Sequence, residues 1–307
     1  MHNHFIFWVI FSFIIIAMVY VDLYVTDRRS GKVSIKSSLI WSGIWIGAAL
    51  SFNLLILFFL ENGKQKALEY LAGYLVEKSL SVDNLFAFLM IFNVMSIKDE
   101  HQPHVLKWGI ISAIAIRIVM ILAGITLINL FHPVIYLFGL ILLYGAFKMA
   151  FGEDSQIDLK NNSVIKFISK FFNIDTDYKG NRFFVKHRNK ILLTPLFLTL
   201  ILIEAADVVF NVDSIPAVIA ITTDPFIVIT SNIFAILGLR ALYFALAGMV
   251  DLFSYLKYGV SVILTYIGIK MLITDYYEIP TSTTLIVIIF CLSFSIILSL
   301  IRKPKVS

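Results

Sequence analysis

Two stretches of this chain set carboxylates deep inside apolar sequence of membrane length: Glu77-Lys-Ser-Leu-Ser-Val-Asp-Asn84 and Glu204-Ala-Ala-Asp-Val-Val-Phe-Asn-Val-Asp-Ser214. An ionisable group near the bilayer centre costs about 2.5–3.5 kcal/mol even on insertion scales. Glu77, Asp83, Glu204, Asp207 and Asp213 therefore demand compensation by a bound cation, by protons or by basic partners. On a helix, residues three, four or seven apart share a face. Glu77, Ser81 and Asn84 make one such polar stripe; Asp207, Asn211 and Ser214 make another, which Glu204 extends by a turn. Asp83 and Asp213 stand six residues after an acid, about 120° around a regular helix, and join the stripes only if the helix bends or unwinds. Pro216 offers a cause for that in the second stretch, because it cannot donate to the carbonyl of Val212.

Carboxylate, amide, hydroxyl and carbonyl oxygens suit hard cations such as Mn²⁺, Mg²⁺ and Ca²⁺. The six histidines fall in loops or at the edges of apolar runs, and Cys291 is the single cysteine. A zinc or copper site of nitrogen and sulfur ligands is thus not expected, nor is an intrachain disulfide. The basic residues Lys78, Arg117 and Arg240 also lie within apolar runs. Structural pairing with the acids is the competing reading, although five acids against three bases leave negative charge over.

The elements that must position these residues are transmembrane helices. The chain is 59% hydrophobic and only 15% charged, with mean hydropathy +0.90, which excludes a soluble globular domain. Apolar runs of about 20 residues occur near 5–25, 37–60, 67–96, 105–130, 133–151, 190–222, 226–250, 253–273 and 281–301. They predict an all-α polytopic membrane protein of about nine transmembrane helices. The sixth run would be about 48 Å long if straight, against a hydrocarbon core of about 30 Å, so a tilt, kink or break is expected. With an outside N-terminus, most of the 25 Lys and Arg fall on the inner side, which predicts N-terminus outside and C-terminus cytoplasmic. The net charge of +5 is then a topology signal, and no nucleic-acid partner is expected.

A repeat organises the runs. Glu77…Asp83-Asn84 matches Asp207…Asp213-Ser214; Arg117 matches Arg240, Tyr144 matches Tyr266, and Lys148-Met149 matches Lys270-Met271. Three spans per copy is an odd number, so the second copy crosses the membrane in the opposite sense, as in secondary transporters that bind cargo at the midplane. The expected organisation is 1–66, two flanking helices; 67–151, the first three-helix repeat; 152–189, a cytoplasmic loop with an amphipathic pattern suited to a short helix on the inner leaflet; 190–273, the second, inverted repeat; and 274–307, a last helix with a basic tail. Gly43, Gly47, Gly124, Gly139 and Gly248 read as close-packing positions, the 27 Phe as lipid-facing bulk, and Asp22 as an interfacial carboxylate.

At these motifs the chain resembles the TerC/Alx family of integral membrane proteins. The resemblance runs through Glu77–Asn84, Glu204–Pro216, Thr223–Arg240, Leu256–Gly259 and Gly268–Met271, and covers most of 5–300. The second motif departs from the family pattern with Ala206 before Asp207 and with Asn211, where Asn could add a ligand. The resemblance implies manganese efflux at the bacterial inner membrane, with Glu77, Asp83, Asn84, Glu204, Asp207 and Asp213 at the matching positions. The residue pattern alone does not choose Mn²⁺ over Ca²⁺. The expected function is a secondary transporter, not an enzyme. It exports Mn²⁺ by alternating access at Glu77, Asp83, Asn84, Glu204, Asp207, Asn211 and Asp213, with protons as the counter-ion and no resident cofactor. A membrane assembly or scaffold protein, or a carrier of another hard divalent cation such as Ca²⁺, is the alternative.

Overall fold

The computed structural model describes residues 2–22, 35–151, 173–174, 180–187, 190–247, 255–277 and 279–301. Its helices, in order, are α1 (His2–Tyr20), α2 (Ile35–Phe59), α3 (Gly63–Val94), α4 (Gln102–Leu130), α5 (Val134–Phe151), α6 (Pro195–Ile219), α7 (Pro225–Ile236), α8 (Leu239–Ala247), α9 (Leu256–Leu272) and α10 (Thr281–Ile301). Every apolar run of the sequence contains one of them. By length and composition, α2, α4, α5, α6, the Pro225–Ala247 segment and α10 can each cross a membrane. Helix α3 has the length, 32 residues, but carries the acids and lysines that lower its hydropathy, and α9 has 17 residues. The protein is an all-α polytopic membrane protein. Large apolar side chains turned outward, among them Phe13, Phe58, Leu130, Phe147 and Phe290, give the bundle a lipid-compatible surface.

The packing contacts fix the relative directions of the helices. Helices α5 and α9 run antiparallel, because Gly139 packs against the carbonyl of Gly268 while Ser261 Oγ donates to the carbonyl of Ala146 at 2.7 Å. Helices α4 and α6 run parallel, with Gly109 over Ile203 and Gly124 against Ile219. Helices α3 and α7 are also parallel: Gly73 faces Ser231 and the Lys78 ammonium donates to the carbonyl of Ala235 at 3.0 Å. An inverted repeat of three spans, as the sequence pattern predicts, would make the α4–α6 and α3–α7 pairs images of each other. An offset of 122 residues would also exchange Gly139 with Ser261 and Ala146 with Gly268, and so relate the two α5–α9 contacts. The α5–α9 crossing is close enough that a Cβ on Gly268 would stand 3.0 Å from the Gly139 carbonyl oxygen. Gly268→Val is therefore expected to cost about 1–3 kcal/mol, read as a lowered thermal midpoint in detergent micelles. Gly43→Ala and Gly47→Ala are expected not to lower it, because open space surrounds both positions; these two are not close-packing glycines, and Gly248 lies outside the described residues.

Three expectations need correction. First, the break lies in the seventh run and not at Pro216. Helix α6 is continuous through Pro216 to Ile219; the proline sits in the last turn, where losing one intrahelical bond does not interrupt the helix. The run 226–250 instead divides at Leu237-Gly238, where Leu237 is extended and Gly238 has φ +82°. Second, the sixth run does not begin as helix. Lys190–Leu193 is a β-strand, β3, in a small sheet with β1 (Asn173–Ile174) and β2 (Phe184–His187), ordered β1-β3-β2. Strand β3 pairs parallel with β1 and antiparallel with β2. The amphipathic segment 164–172 lies outside the described residues. Third, the phenylalanines are not all lipid-facing. Phe11, Phe52, Phe226 and Phe234 are buried and meet between α1, α2 and α7, Phe52 and Phe234 with ring centroids 4.8 Å apart. Such offset aromatic packing adds to the burial of area and clamps the flanking helices onto the core.

Candidate functional site

The two polar stripes do form, because each spacing matches the helical repeat. Glu77, Ser81 and Asn84 are buried on α3, and Asp207, Asn211 and Ser214 are buried on α6, while Val208, Val209 and Val212 of α6 face outward. Helices α3 and α6 contact each other, and the stripes converge on one side chain from α4. Arg117, 1% exposed, is the largest fully buried side chain of the described residues. Its guanidinium makes a close ion pair with Glu77 and a close hydrogen bond to Asn211 Oδ1. It also reaches Asp207 Oδ1 at 3.7 Å and Asn232 Oδ1 of α7 at 3.3 Å. Four helices therefore meet at one cation.

The oxygens around Arg117 are held from behind. Ser81 Oγ donates to Glu77 Oε1 at 3.0 Å, and Asn211 Nδ2 donates to Asp207 Oδ2 at 3.2 Å. The Asn232 amide nitrogen donates to the Val228 carbonyl at 2.8 Å. These bonds turn two carboxylates and two amide carbonyls toward a common centre. Glu77 Oε2, Ser214 Oγ and Arg117 Nε have no hydrogen-bond partner among the described residues, a condition that is costly for buried polar atoms.

Glu204 stands one turn nearer the start of α6. It accepts from Ser112 Oγ at 2.8 Å and lies over Gly109, where a Cβ would come 3.5 Å from Oε1; its Oε2 has no partner among the described residues. Glu204 and Arg117 line one small cavity together with Ser81, Asn84, Ala113, Asp207 and Arg240 among others. Glu77, Asn84, Glu204, Asp207 and Asn211 thus occupy one region.

Asp213 does not. Its carboxylate faces α5, where a Cβ on Gly145 would stand 3.3 Å from Oδ2. The 120° offset of a regular helix carries it away from Asp207, and the unbroken α6 leaves nothing to bring it back. The side chain of Asp83 lies outside the described residues. Among the described residues no group of three or more His, Cys, Asp and Glu is placed to hold a metal ion, so Glu77, Glu204, Asp207 and Asp213 do not by themselves form a ready-made cage. The Arg117 guanidinium occupies the space that Glu77, Asp207 and Asn211 enclose.

The other two intramembrane bases have different duties. Lys78 donates to the carbonyls of Ala235 at 3.0 Å and Leu237 at 3.5 Å, capping carbonyls that the break after α7 leaves without helical partners. Arg240 lies 3.7 Å from Asp22 Oδ2 and also donates to the Asp22 carbonyl. Asp22, 2% exposed, is therefore a buried member of the bundle and not an interfacial carboxylate. Sequence reasoning also missed Asn232, although the polar triplet Thr230-Ser231-Asn232 in an apolar span was a legible signal.

No solved structure matches this chain. Residues 62–307 match the family described as "Integral membrane protein TerC family". The protein of Escherichia coli (strain K12) called "Putative membrane-bound redox modulator Alx" is 41% identical over 299 residues, 95% of this chain and 93% of its own length. The protein of the same name from Photorhabdus laumondii is 42% identical over 306 residues, covering 97% and 96% of the two chains. A membrane protein of Myxococcus xanthus is 42% identical over 296 residues, covering 96% and 92%. Near-complete coverage and a family match spanning both acidic motifs leave one conclusion: this chain belongs to the TerC family of integral membrane proteins.

Proposed function

We propose that the protein is a secondary transporter that exports a hard divalent cation, Mn²⁺ by family resemblance, across the bacterial inner membrane. The observation that carries this reading is the convergence of Glu77 from the first repeat with Asp207 and Asn211 from the second, beside the cavity that Glu204 lines. When ionised, three carboxylates against the one guanidinium leave two negative charges uncompensated, since Lys78 caps the α7 break and Arg240 is engaged with Asp22. Burial makes that deficit expensive unless a divalent cation or protons fill it. The donors are oxygens only, the class that hard cations prefer. In this reading the N-terminus is outside and the C-terminus cytoplasmic. The cavity, bounded by the start of α4, the start of α6 and the end of α3, then opens toward the cytoplasm. The two repeats rock to expose the acids alternately, and protons replace the metal on the return.

Inside-out membrane vesicles given MnCl₂ test this directly. Wild-type vesicles are expected to accumulate Mn²⁺, faster with an inwardly acid pH gradient. Asp207→Asn is expected to slow accumulation about 30-fold or more, the loss that follows from removing about 2 kcal/mol of charged-ligand interaction. Vesicles that accumulate neither Mn²⁺ nor Ca²⁺ would end the transport reading; indifference to the gradient would end its proton-exchange part alone.

A further inference from the structure

Resting on that reading, we infer that Arg117 is a tethered counter-cation: it occupies the transport site when no metal is bound, and metal binding drives it across the cavity to Glu204. The guanidinium is where a metal would sit. It touches Glu77 and Asp207 carboxylates and the amide oxygens of Asn211 and Asn232, a set of oxygen donors with no nitrogen or sulfur. A residue needed only to glue helices together does not require every one of its acceptors to be oriented by a further hydrogen bond. Here Ser81 holds Glu77, the Asn211–Asp207 bond holds both of its members, and the Val228 carbonyl holds Asn232, so all four are oriented. The fit is also incomplete on both sides. Among the described residues Glu77, fully buried, keeps one carboxylate oxygen without a partner, and Arg117 keeps its Nε without one. A spherical ion placed among the same oxygens has no such unused donor.

A second seat for the guanidinium exists. Arg117 and Glu204 line one cavity, and Glu204 Oε2 is without a partner among the described residues. Ser112, which holds the other oxygen of Glu204, precedes Arg117 by five residues on α4, about 7.5 Å of helical rise. Side chains on a helix lean toward its N-terminus, so Arg117 is aimed toward Ser112 and Glu204. Gly109 and Ala113, among the residues that line this cavity, are small. In its second seat the guanidinium pairs with Glu204, and the cage gains the metal. The guanidinium compensates an acid in both states, and protons on the remaining acids take up the charge that the departing metal leaves while the repeats rock.

Purified full-length protein in detergent micelles, titrated with MnCl₂ by calorimetry, separates this from a static role. If Arg117 holds the cage in about nine molecules of ten, apparent affinity is reduced by that occupancy. Arg117→Gln is then expected to bind Mn²⁺ about tenfold more tightly than the wild type. Glu204→Gln is expected to weaken binding in the wild-type background, where it removes the second seat, and to have no such effect in the Arg117→Gln background. Equal weakening in both backgrounds would make Glu204 a direct ligand and overturn the inference. So would unchanged or weaker binding by Arg117→Gln that still gives a cooperative thermal transition. Should Arg117→Gln fail to fold, Arg117→Lys takes its place: a shorter competitor, it is expected to bind Mn²⁺ more tightly than the wild type and to reduce the effect of Glu204→Gln, and unchanged affinity or an undiminished Glu204→Gln effect overturns the inference. Wild-type protein that binds neither Mn²⁺ nor Ca²⁺ would instead bring down the transport reading itself.

Discussion

Arg117→Leu is expected to destabilise the metal-free protein by about 3–5 kcal/mol, the cost of leaving a buried partner charge without compensation. The argument is specific to this site. Glu77 is fully buried and, among the described residues, Arg117 is the base it pairs with; Lys78 is directed to the carbonyls that end α7. Removing the guanidinium also releases Asn211 and Asn232, so α4, α6 and α7 lose their common tie. Adding Glu77→Gln to Arg117→Leu should recover part of the loss, because the second change removes the uncompensated charge. Thermal midpoints of the four proteins in detergent micelles form a double-mutant cycle. A double variant less stable than Arg117→Leu alone would show that charge compensation is not what the pair contributes.

The second large effect is expected at the break between α7 and α8. Gly238→Ala should cost about 2–5 kcal/mol, combining roughly 1–2 for the left-handed backbone with roughly 1–3 for overpacking. Gly238 has φ +82°, and a Cβ there would come 2.5 Å from Cδ1 and 2.8 Å from Cγ of Trp45. Trp45 is 4% exposed and packs against Trp41 with ring centroids 5.9 Å apart, so the indole cannot simply swing aside. The break matters because it exposes the carbonyls that Lys78 caps and turns Arg240 toward Asp22. Lys78→Met should cost less, about 1–3 kcal/mol, the penalty of buried carbonyls left without a donor. Both are read from thermal midpoints. A Gly238→Ala protein as stable as the wild type would mean that the break is not held by this glycine.

Much of this protein was legible as pattern. The apolar runs are long because the bilayer core has a fixed thickness, and each contains a helix. The stripes Glu77-Ser81-Asn84 and Asp207-Asn211-Ser214 follow from a repeat of 3.6 residues, and the same arithmetic correctly set Asp213 apart. The invented step was the unwinding that would have returned Asp213 to the site. Proline breaks a helix only when turns follow it, and in α6 almost none follow Pro216. The actual interruption, at Leu237-Gly238, offers only one glycine within an apolar run. Glycine signals a left-handed residue when a neighbour forces it, and that neighbour, Trp45, is nearly two hundred residues away in the chain.

By itself the sequence determined the membrane-spanning class, the helical elements, the two acidic faces and the oxygen-only donor set, because each depends on local composition or on spacing along one helix. The tertiary structure alone decided which base meets which acid. Pairing among Glu77, Asp207, Asp22, Lys78, Arg117 and Arg240 depends on how α3, α4, α6, α8 and the end of α1 are rotated and how deeply each sits beside its neighbours. A charge count along the chain is blind to both, since it cannot tell a guanidinium lodged between two carboxylates from a lysine capping a broken helix.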